Sequence, residues 1–380
     1  MGNISGCKSV ERPKLENTNR NYTQIDLDKL KYYHRNGLFL KTAVNTARDL
    51  REEVDRIIIN FQIKELEANV VTEIQNLDYH YIRFGCYNFT SIHLTSLISV
   101  LNFTRSKIFV HSNCVIHQNL SIDLKNRVKF VAIHKNFSEE FRIFNRKIEH
   151  VAHKSDVYRL LILLKYGGIY IDDDIWVLKD LQKTIRKKGD FSIMMSEFHT
   201  PIHCLSNAFI VALKSNSSFL KTWLANYRYY DFIDQKIQHQ KWLSSSSGGH
   251  PNYIYWIWFS LRVPWNLWKT KFINKNIDNI KDNEQLIILQ NGEFVRPGQF
   301  TNDSLIFDWS KNYNVHVNQR TLSNSKRNLI SKILDDKNGE TCMDLKRNVT
   351  TINKVTCLTD QGHNTSQPNM FLEILAHVLC

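Results

Sequence analysis

The sequence predicts an α/β protein with a mostly parallel central sheet flanked by helices. Two observations lead there. Strand-like and helix-like runs alternate from Asp78 to His134, and a helical run, a Gly-Gly pair and another strand-like run follow one another from His153 to Leu178. Strand–helix–strand alternation is the signature of parallel pairing, since a crossover helix must carry the chain back before the next parallel strand can begin.

The elements justify themselves in order. Residues 1–75 are polar, charged and Asn-rich, with one amphipathic stretch from Leu38 to Leu66, and they read as a stem or as an N-terminal helical extension. YHYIRFG, around residues 80–85, is strand-like; FTSIHLTSLISVLNF (89–103) has helical periodicity; KIFVHSN (107–113) and VKFVAIH (128–134) are strand-like again. HKSDVYRLLILLKYGG reads as a helix stopped at Gly167, and IYIDDDIWVL reads as one strand. FSIMMSEF is a further buried strand, and the aromatic-rich region 219–275 is helical, broken by SSSSGGHP at 244–251. This core spans 76–325. Residues 326–380 read as a polar C-terminal tail closed by the amphipathic run MFLEILAHVL.

Composition narrows the functional classes. A hydrophobic share of 42% in 380 residues is enough for a sizeable core, which excludes a mostly disordered chain and a small disulfide scaffold. A formal charge of +13 calls for anionic partners: nucleic acid, a membrane surface or phosphorylated small molecules. The 7 cysteines include no CxxC, so no zinc ribbon is legible; Cys342 and Cys357 are a candidate pair. No apolar run is long enough for a transmembrane helix, and the first residues carry no signal-peptide core. Asn-x-Ser/Thr sequons recur from Asn3 to Asn364, which points to a glycoprotein of the Golgi or another secretory lumen, with membrane association expected in a longer natural form.

The chemistry concentrates between Ser155 and Asp174. In an extended strand alternate side chains share a face, so Asp172 and Asp174 point together and Asp173 points away. Two converging carboxylates are costly without a cation, and oxygen ligands of this kind suit Mg²⁺ or Mn²⁺. A solvated acidic turn is the competing reading. Asp156 and Arg159, three apart, share one helix face, either as an ion pair of little energetic value or as a grip on a hydroxyl-rich ligand.

Ser155, Asp156, Arg159, Leu163, Gly167, Gly168, Tyr170, Asp172 and Asp174 match S-D-x-x-R-x-x-x-L-x-x-x-G-G-x-Y-x-D-x-D without a gap. This resembles the DXD sugar-binding region of glycosyltransferase family 32, which includes the animal α-1,4-galactosyltransferases, the α-1,4-N-acetylglucosaminyltransferases and the fungal initiating α-1,6-mannosyltransferase. The resemblance implies a GT-A-like nucleotide-sugar-binding fold, Mn²⁺ (or Mg²⁺), a nucleotide-sugar donor with a UDP-sugar favoured, a glycan or glycolipid acceptor, and retention of configuration. It implies that Asp172 and Asp174 hold the metal, joined by His316 from the late run YNVHV. Asp156, Arg159, Tyr170, Asp172, Asn207 and Glu197 become the expected donor-binding residues, with Asp156, Arg159 and Asp174 central to catalysis. Asp173 fills the variable position. Many relatives have Trp-Phe-Gly where this chain has Arg83-Phe84-Gly85, so stacking of an aromatic side chain on the nucleobase is in question there. The Trp- and Tyr-rich stretch 253–268 reads as a buried helix more than as an acceptor cleft. A catalytically silent sugar-binding relative, and a basic nucleic-acid-binding or metal phosphodiesterase protein, are the alternatives; no RNA- or DNA-binding motif supports the last, so no nucleic-acid partner is expected.

Overall fold

The computed structural model describes residues 51–61, 64–65, 77–85, 87–114, 126–133, 141–187, 191–199, 203–230, 257–273, 284–289, 294–295, 314–317, 322–336, 339–347 and 370–380. In chain order the elements are α1 (Arg51–Asn60), β1 (Lys64–Glu65), β2 (Tyr79–Arg83), α2 (Ser91–Phe103), β3 (Ile108–Ser112), β4 (Val128–Ala132), β5 (Arg142–Ile143), β6 (Arg146–Lys147) and α3 (Val151–Tyr166). They continue with β7 (Gly168–Ile171), β8 (Ile175–Val177), α4 (Leu181–Lys187), β9 (Ile193–His199), β10 (His203–Ala212) and α5 (Ser218–Ala225). A 3₁₀ turn (Asn226–Tyr229) and a π-helical turn (Ile257–Arg262) precede α6 (Val263–Ile273), followed by β11 (Leu286–Leu289), β12 (Phe294–Val295) and β13 (Asn314–His316). The last elements are α7 (Asn324–Asp335), α8 (340–347) and α9 (Met370–Leu379).

One sheet carries eight strands in the order β1-β4-β3-β2-β7-β10-β9-β11. β4, β3, β2 and β7 pair in parallel, β10 is antiparallel to both β7 and β9, and β11 is parallel to β9. The central sheet is therefore mostly parallel with helices against it, the GT-A-like arrangement that the resemblance implied. Both of its faces are buried, and side chains alternate between them with the strand period of two. Tyr79, Tyr81, Ile169, Ile171, Phe209 and Val211 face one apolar cluster. Ile82, Tyr170, Ile210 and Ala212 face the other, with the aliphatic side of α3 and with Trp223 and Trp265.

α3 is buried nearly all round. Leu160, Leu161, Ile162, Leu163 and Leu164 are at most 1% exposed, and at about 2 kcal/mol each their burial stabilises the helix by about 10 kcal/mol. The N–H of Gly167 closes its last turn on the Leu163 carbonyl, so the helix stops where the Gly-Gly pair predicts.

Three expectations need correction. IYIDDDIWVL is two strands, not one: β7 ends at Ile171 in the large sheet, and β8 begins at Ile175 in a three-stranded sheet ordered β12-β13-β8. The aspartates between them form a turn closed by the Ile175 N–H on the Asp172 carbonyl. The amphipathic stretch 38–66 is helical only over Arg51–Asn60 among the described residues, with Lys64–Glu65 pairing as a strand on β4 and residues 38–50 outside them. Cys342 is bonded to Cys380 rather than to Cys357, which lies outside the described residues.

Residues 326–380, polar in composition, contribute helices whose apolar sides pack on the small sheet. Ile330, Ile333, Leu345, Phe371, Ile374 and Val378 share a core with Trp176 of β8, Val315 of β13 and Ile92 of α2. Among the described residues, no helix is long and apolar enough to cross a membrane.

Candidate active site

The site forms where α3, the end of β7, β10 and β13 converge. α3 brings Asp156 and Arg159, 1% and 5% exposed, into a pair at 3.1 Å between Asp156 Oδ1 and Arg159 Nη2. An exposed pair of this spacing contributes little, but a buried one is costly to break: removing one partner costs about 3–5 kcal/mol. The sequence left a surface pair open; burial settles that it is an interior one.

Asp156 is held on both oxygens. Asn207 Nδ2 donates to Oδ1 at 2.6 Å, and Ser260 Oγ donates to Oδ2 at 2.5 Å. Burial pushes its carboxyl up to about 6, although Arg159, Ser260 and Asn207 all favour the charged form. His153 Nδ1 stands 3.6 Å from Oδ2, and burial holds its imidazole down at about 3, so it is neutral there.

Arg159 spreads its fork over several elements. Nη1 donates to Asp172 Oδ1 at 3.2 Å and to the Asn207 carbonyl, Nε donates to the Ser155 carbonyl at 3.3 Å, and Nη2 donates to Ser155 Oγ at 3.3 Å. The guanidinium also lies 4.3 Å above the Tyr170 ring. Burial alone would lower its pKa, but Tyr170, Asp172 and Asp156 outweigh that and raise it. The Tyr170 hydroxyl donates to Asp172 Oδ1 at 2.5 Å.

Asn207 owes its double role to an irregularity. β10 pairs with β9 in one register up to Ser206 and in another from Ile210. Such a bulge re-aims side chains that a regular ladder would alternate. Within it, the Asn207 side chain reaches Asp156, its carbonyl takes Arg159, and the Ala208 carbonyl accepts the Asp172 N–H at 2.9 Å.

One oxygen each of Asp172 and Asp174 and one ring nitrogen of His316 lie within 4.8 Å of one another. His316 Nε2 is 3.0 Å from Asp174 Oδ1, brought there by β13 pairing with β8 and by the Val317 N–H on the Asp174 carbonyl. Burial would lower the His316 imidazole, but Asp174, with Asp172 and Asp173 behind it, outweighs this and raises it. Two carboxylates and an imidazole are a donor set that fits a divalent ion such as Mn²⁺ or Mg²⁺. The expected convergence of Asp172 and Asp174 is therefore present, but a turn produces it, not strand alternation.

The structure thus joins Asp156, Arg159, Tyr170, Asp172, Asp174, Asn207 and His316. Glu197, half-buried on β9 opposite Leu205, is not among the groups these bonds connect. Ser260 is the member that the sequence reading missed. It sits on the π-helical turn Ile257–Arg262 inside the stretch read as a buried helix, and its neighbours Phe259 and Leu261 are indeed buried. Turns of this kind recur at functional sites, though no sequence pattern announces one.

Residues 86–191 match the family described as glycosyltransferase sugar-binding region containing DXD motif. The Asp172–Asp174 triplet and the Asp156–Arg159 pair both fall inside that match, so the segment is similar to a DXD-containing sugar-binding region. The glucan organizing enzyme 1 of Cryptococcus neoformans var. grubii is 36% identical over 93 residues, which are 23% of this chain and 25% of that protein. The alignment thus spans about a quarter of that relative's length. Among solved structures, the PaToxG glycosyltransferase aligns at 13% identity over 62% of this chain and 81% of its own, with a TM-score of 0.33. The galactosyltransferase LgtC, in complex with donor and acceptor sugar analogs, aligns at 12% identity over 63% and 87%, with a TM-score of 0.34. The glycosyltransferase GlyE of Streptococcus pneumoniae TIGR4 aligns at 12% over 68% and 60%, with a TM-score of 0.36.

Proposed function

We propose that this protein is a metal-dependent, retaining glycosyltransferase that moves a hexose or N-acetylhexosamine from a nucleotide-diphosphate sugar, UDP-linked by preference, to a glycan or glycolipid. The observation that carries the reading is the meeting of Asp172, Asp174 and His316 within 4.8 Å, beside the buried Asp156–Arg159 pair. Retention and the UDP preference rest on the family resemblance.

Asp172, Asp174 and His316 would hold a divalent ion, which would supply Lewis acidity toward the charge of a donor diphosphate. The chain's own residues prepare the place. Arg159 fixes the Asp172 carboxylate through Nη1. Tyr170 holds the same oxygen by its hydroxyl and so limits the rotation of Asp172. Asp156, saturated by Asn207, Ser260 and Arg159, keeps that guanidinium in one orientation.

The Cys342–Cys380 bond and a second disulfide through Cys114 support an oxidising compartment, consistent with a secretory lumen such as the Golgi.

The test is hydrolysis of a nucleotide-sugar panel with Mn²⁺, which needs no knowledge of the acceptor. Asp172→Ala combined with Asp174→Ala should abolish turnover while far-UV circular dichroism stays unchanged. Full turnover by that variant, or in excess EDTA, would overturn the mechanism.

A further inference from the structure

Arg83 ends β2 and is 8% exposed, yet it contributes nothing to the network around Asp156. Its guanidinium is spent elsewhere. Nε donates to the Tyr87 carbonyl at 3.1 Å and Nη2 to the Asn88 carbonyl at 2.8 Å. Nη1 donates to Asp173 Oδ2 at 3.0 Å and to His93 Nδ1 at 3.0 Å, and the group lies 4.7 Å over the Phe89 ring.

His93 completes the arrangement. Its Nδ1 also accepts the Thr90 N–H at 3.2 Å, at the first turn of α2. With Nδ1 accepting, the ring proton is on Nε2, and Nε2 stands 3.6 Å from the same Asp173 Oδ2. Two donors from two elements therefore face one oxygen of Asp173, and Asp173 is not a member of the cluster that Asp172 and Asp174 form with His316.

The turn has no strand ladder of its own. It leaves β7 at Ile171 and enters β8 at Ile175, and its three carboxylates repel one another. Its two ends are tied to β10 and just beyond β13, the Asp172 N–H to the Ala208 carbonyl and the Asp174 carbonyl to the Val317 N–H, and Arg83 reaches the side chain of the residue between them from the end of the neighbouring parallel strand.

We propose that Arg83 is a positioning residue for the metal site: by clamping Asp173, with His93, it sets the backbone of the Asp172–Asp174 turn so that those two side chains converge on His316. The inference rests on the metal-site reading above, and it assigns to the middle aspartate and to an arginine outside the recognised motif a role in metal affinity.

Charge and geometry predict opposite signs, which makes the idea testable. If Arg83 acted only through its charge, removing a cation beside the site would tighten binding of a divalent ion. If it acts by position, removal loosens binding. Partners that orient metal ligands typically change metal affinity by about 10–100-fold when lost. The experiment measures Mn²⁺ uptake by the full chain, without substrate, from the decrease in the free-ion electron paramagnetic resonance signal. Arg83→Met, Asp173→Asn and the double variant are compared with the wild type.

The expected result is weaker Mn²⁺ binding by about 10-fold or more in each single variant, with the double variant no weaker than the weaker single. Arg83→Met binding as tightly as wild type or tighter, or a double variant restored to wild-type affinity, overturns the proposal. Arg83→Gln, which retains polar atoms for the Tyr87 and Asn88 carbonyls, is judged by the same criterion if Arg83→Met does not fold. A wild type that takes up no Mn²⁺ overturns the metal-site reading itself, a result distinct from a wild type that binds and an Arg83 variant that binds equally well.

Discussion

Replacing Gly168 by alanine should cost the fold about 4 kcal/mol, roughly 2 from the backbone and 2 from overpacking. The backbone part arises because Gly168 sits at φ +99°, where a Cβ is strained whatever the surrounding space. The packing part follows from distances. An added Cβ would lie 2.7 Å from His80 Nε2, 2.8 Å from the Asp78 carbonyl and 2.9 Å from His80 Cδ2. None of these can yield easily. His80 is fully buried, bonded to His111 Nε2 at 3.1 Å and stacked on Phe109, while the Asp78 carbonyl already accepts the Ile169 N–H. Gly339→Ala is the control, since φ there is +72° and nothing lies within 4 Å of the added atom. It should lose only the backbone part. Thermal unfolding followed by far-UV circular dichroism reads both, with Tm falling by about 8 °C for Gly168→Ala at about 2 °C per kcal/mol. A Gly168→Ala protein that melts within a degree or two of Gly339→Ala would refute the reasoning, because the His80 ring would then have had somewhere to go.

Arg159→Lys keeps the charge but not the fork. It leaves the Asn207 carbonyl or Asp172 short of a donor, and turnover should fall about 100-fold through misplacement of the site, checked by steady-state hydrolysis of the preferred donor. Acid should unfold the protein early. His80 and His153 are held near 3 and His111 well below its ordinary value, chiefly by burial, so the unfolded chain binds protons that the folded one refuses. Stability is then present above the unfolded value of about 6.5 and falls as pH drops below it, by about 1.4 kcal/mol per imidazole per pH unit, measurable by urea titrations at pH 7 and pH 5. Breaking the Cys342–Cys380 bond, which closes a separation of 38 residues, should cost about 4 kcal/mol by loop entropy, seen as a lower Tm for Cys380→Ser.

What was legible in the sequence was whatever the chain keeps local. The Asp156–Arg159 spacing and the Gly-Gly stop lie on one helix and its end, and the alternation of β2, α2, β3 and β4 follows from single-element periodicity. The illegible parts depend on distant segments meeting. Ser260 stands 104 residues beyond the Asp156 it bonds, and Arg83 stands 90 residues before Asp173. The β10 bulge is a mismatch between two strands and has no signature in either one. The Cys342 partner was misread because proximity in sequence favoured Cys357, whereas α9 packing beside α7 and α8 favours Cys380. Asp172 and Asp174 were placed together for a mistaken reason: the strand rule and the turn happen to give the same outcome.

That turn also joins two structural layers. Asp172 follows the last residue of a strand in the eight-stranded sheet, while Asp174 immediately precedes β8 and His316 ends β13 of the three-stranded one, on which the C-terminal helices are built. Any ligand gripped by all three therefore binds only while the two sheets stay in register, and its binding free energy is added to the cost of pulling them apart. Occupancy of the site and attachment of the described C-terminal helices become one equilibrium, so those helices, which supply none of the three ligand atoms, would report on it through the protection of their amides.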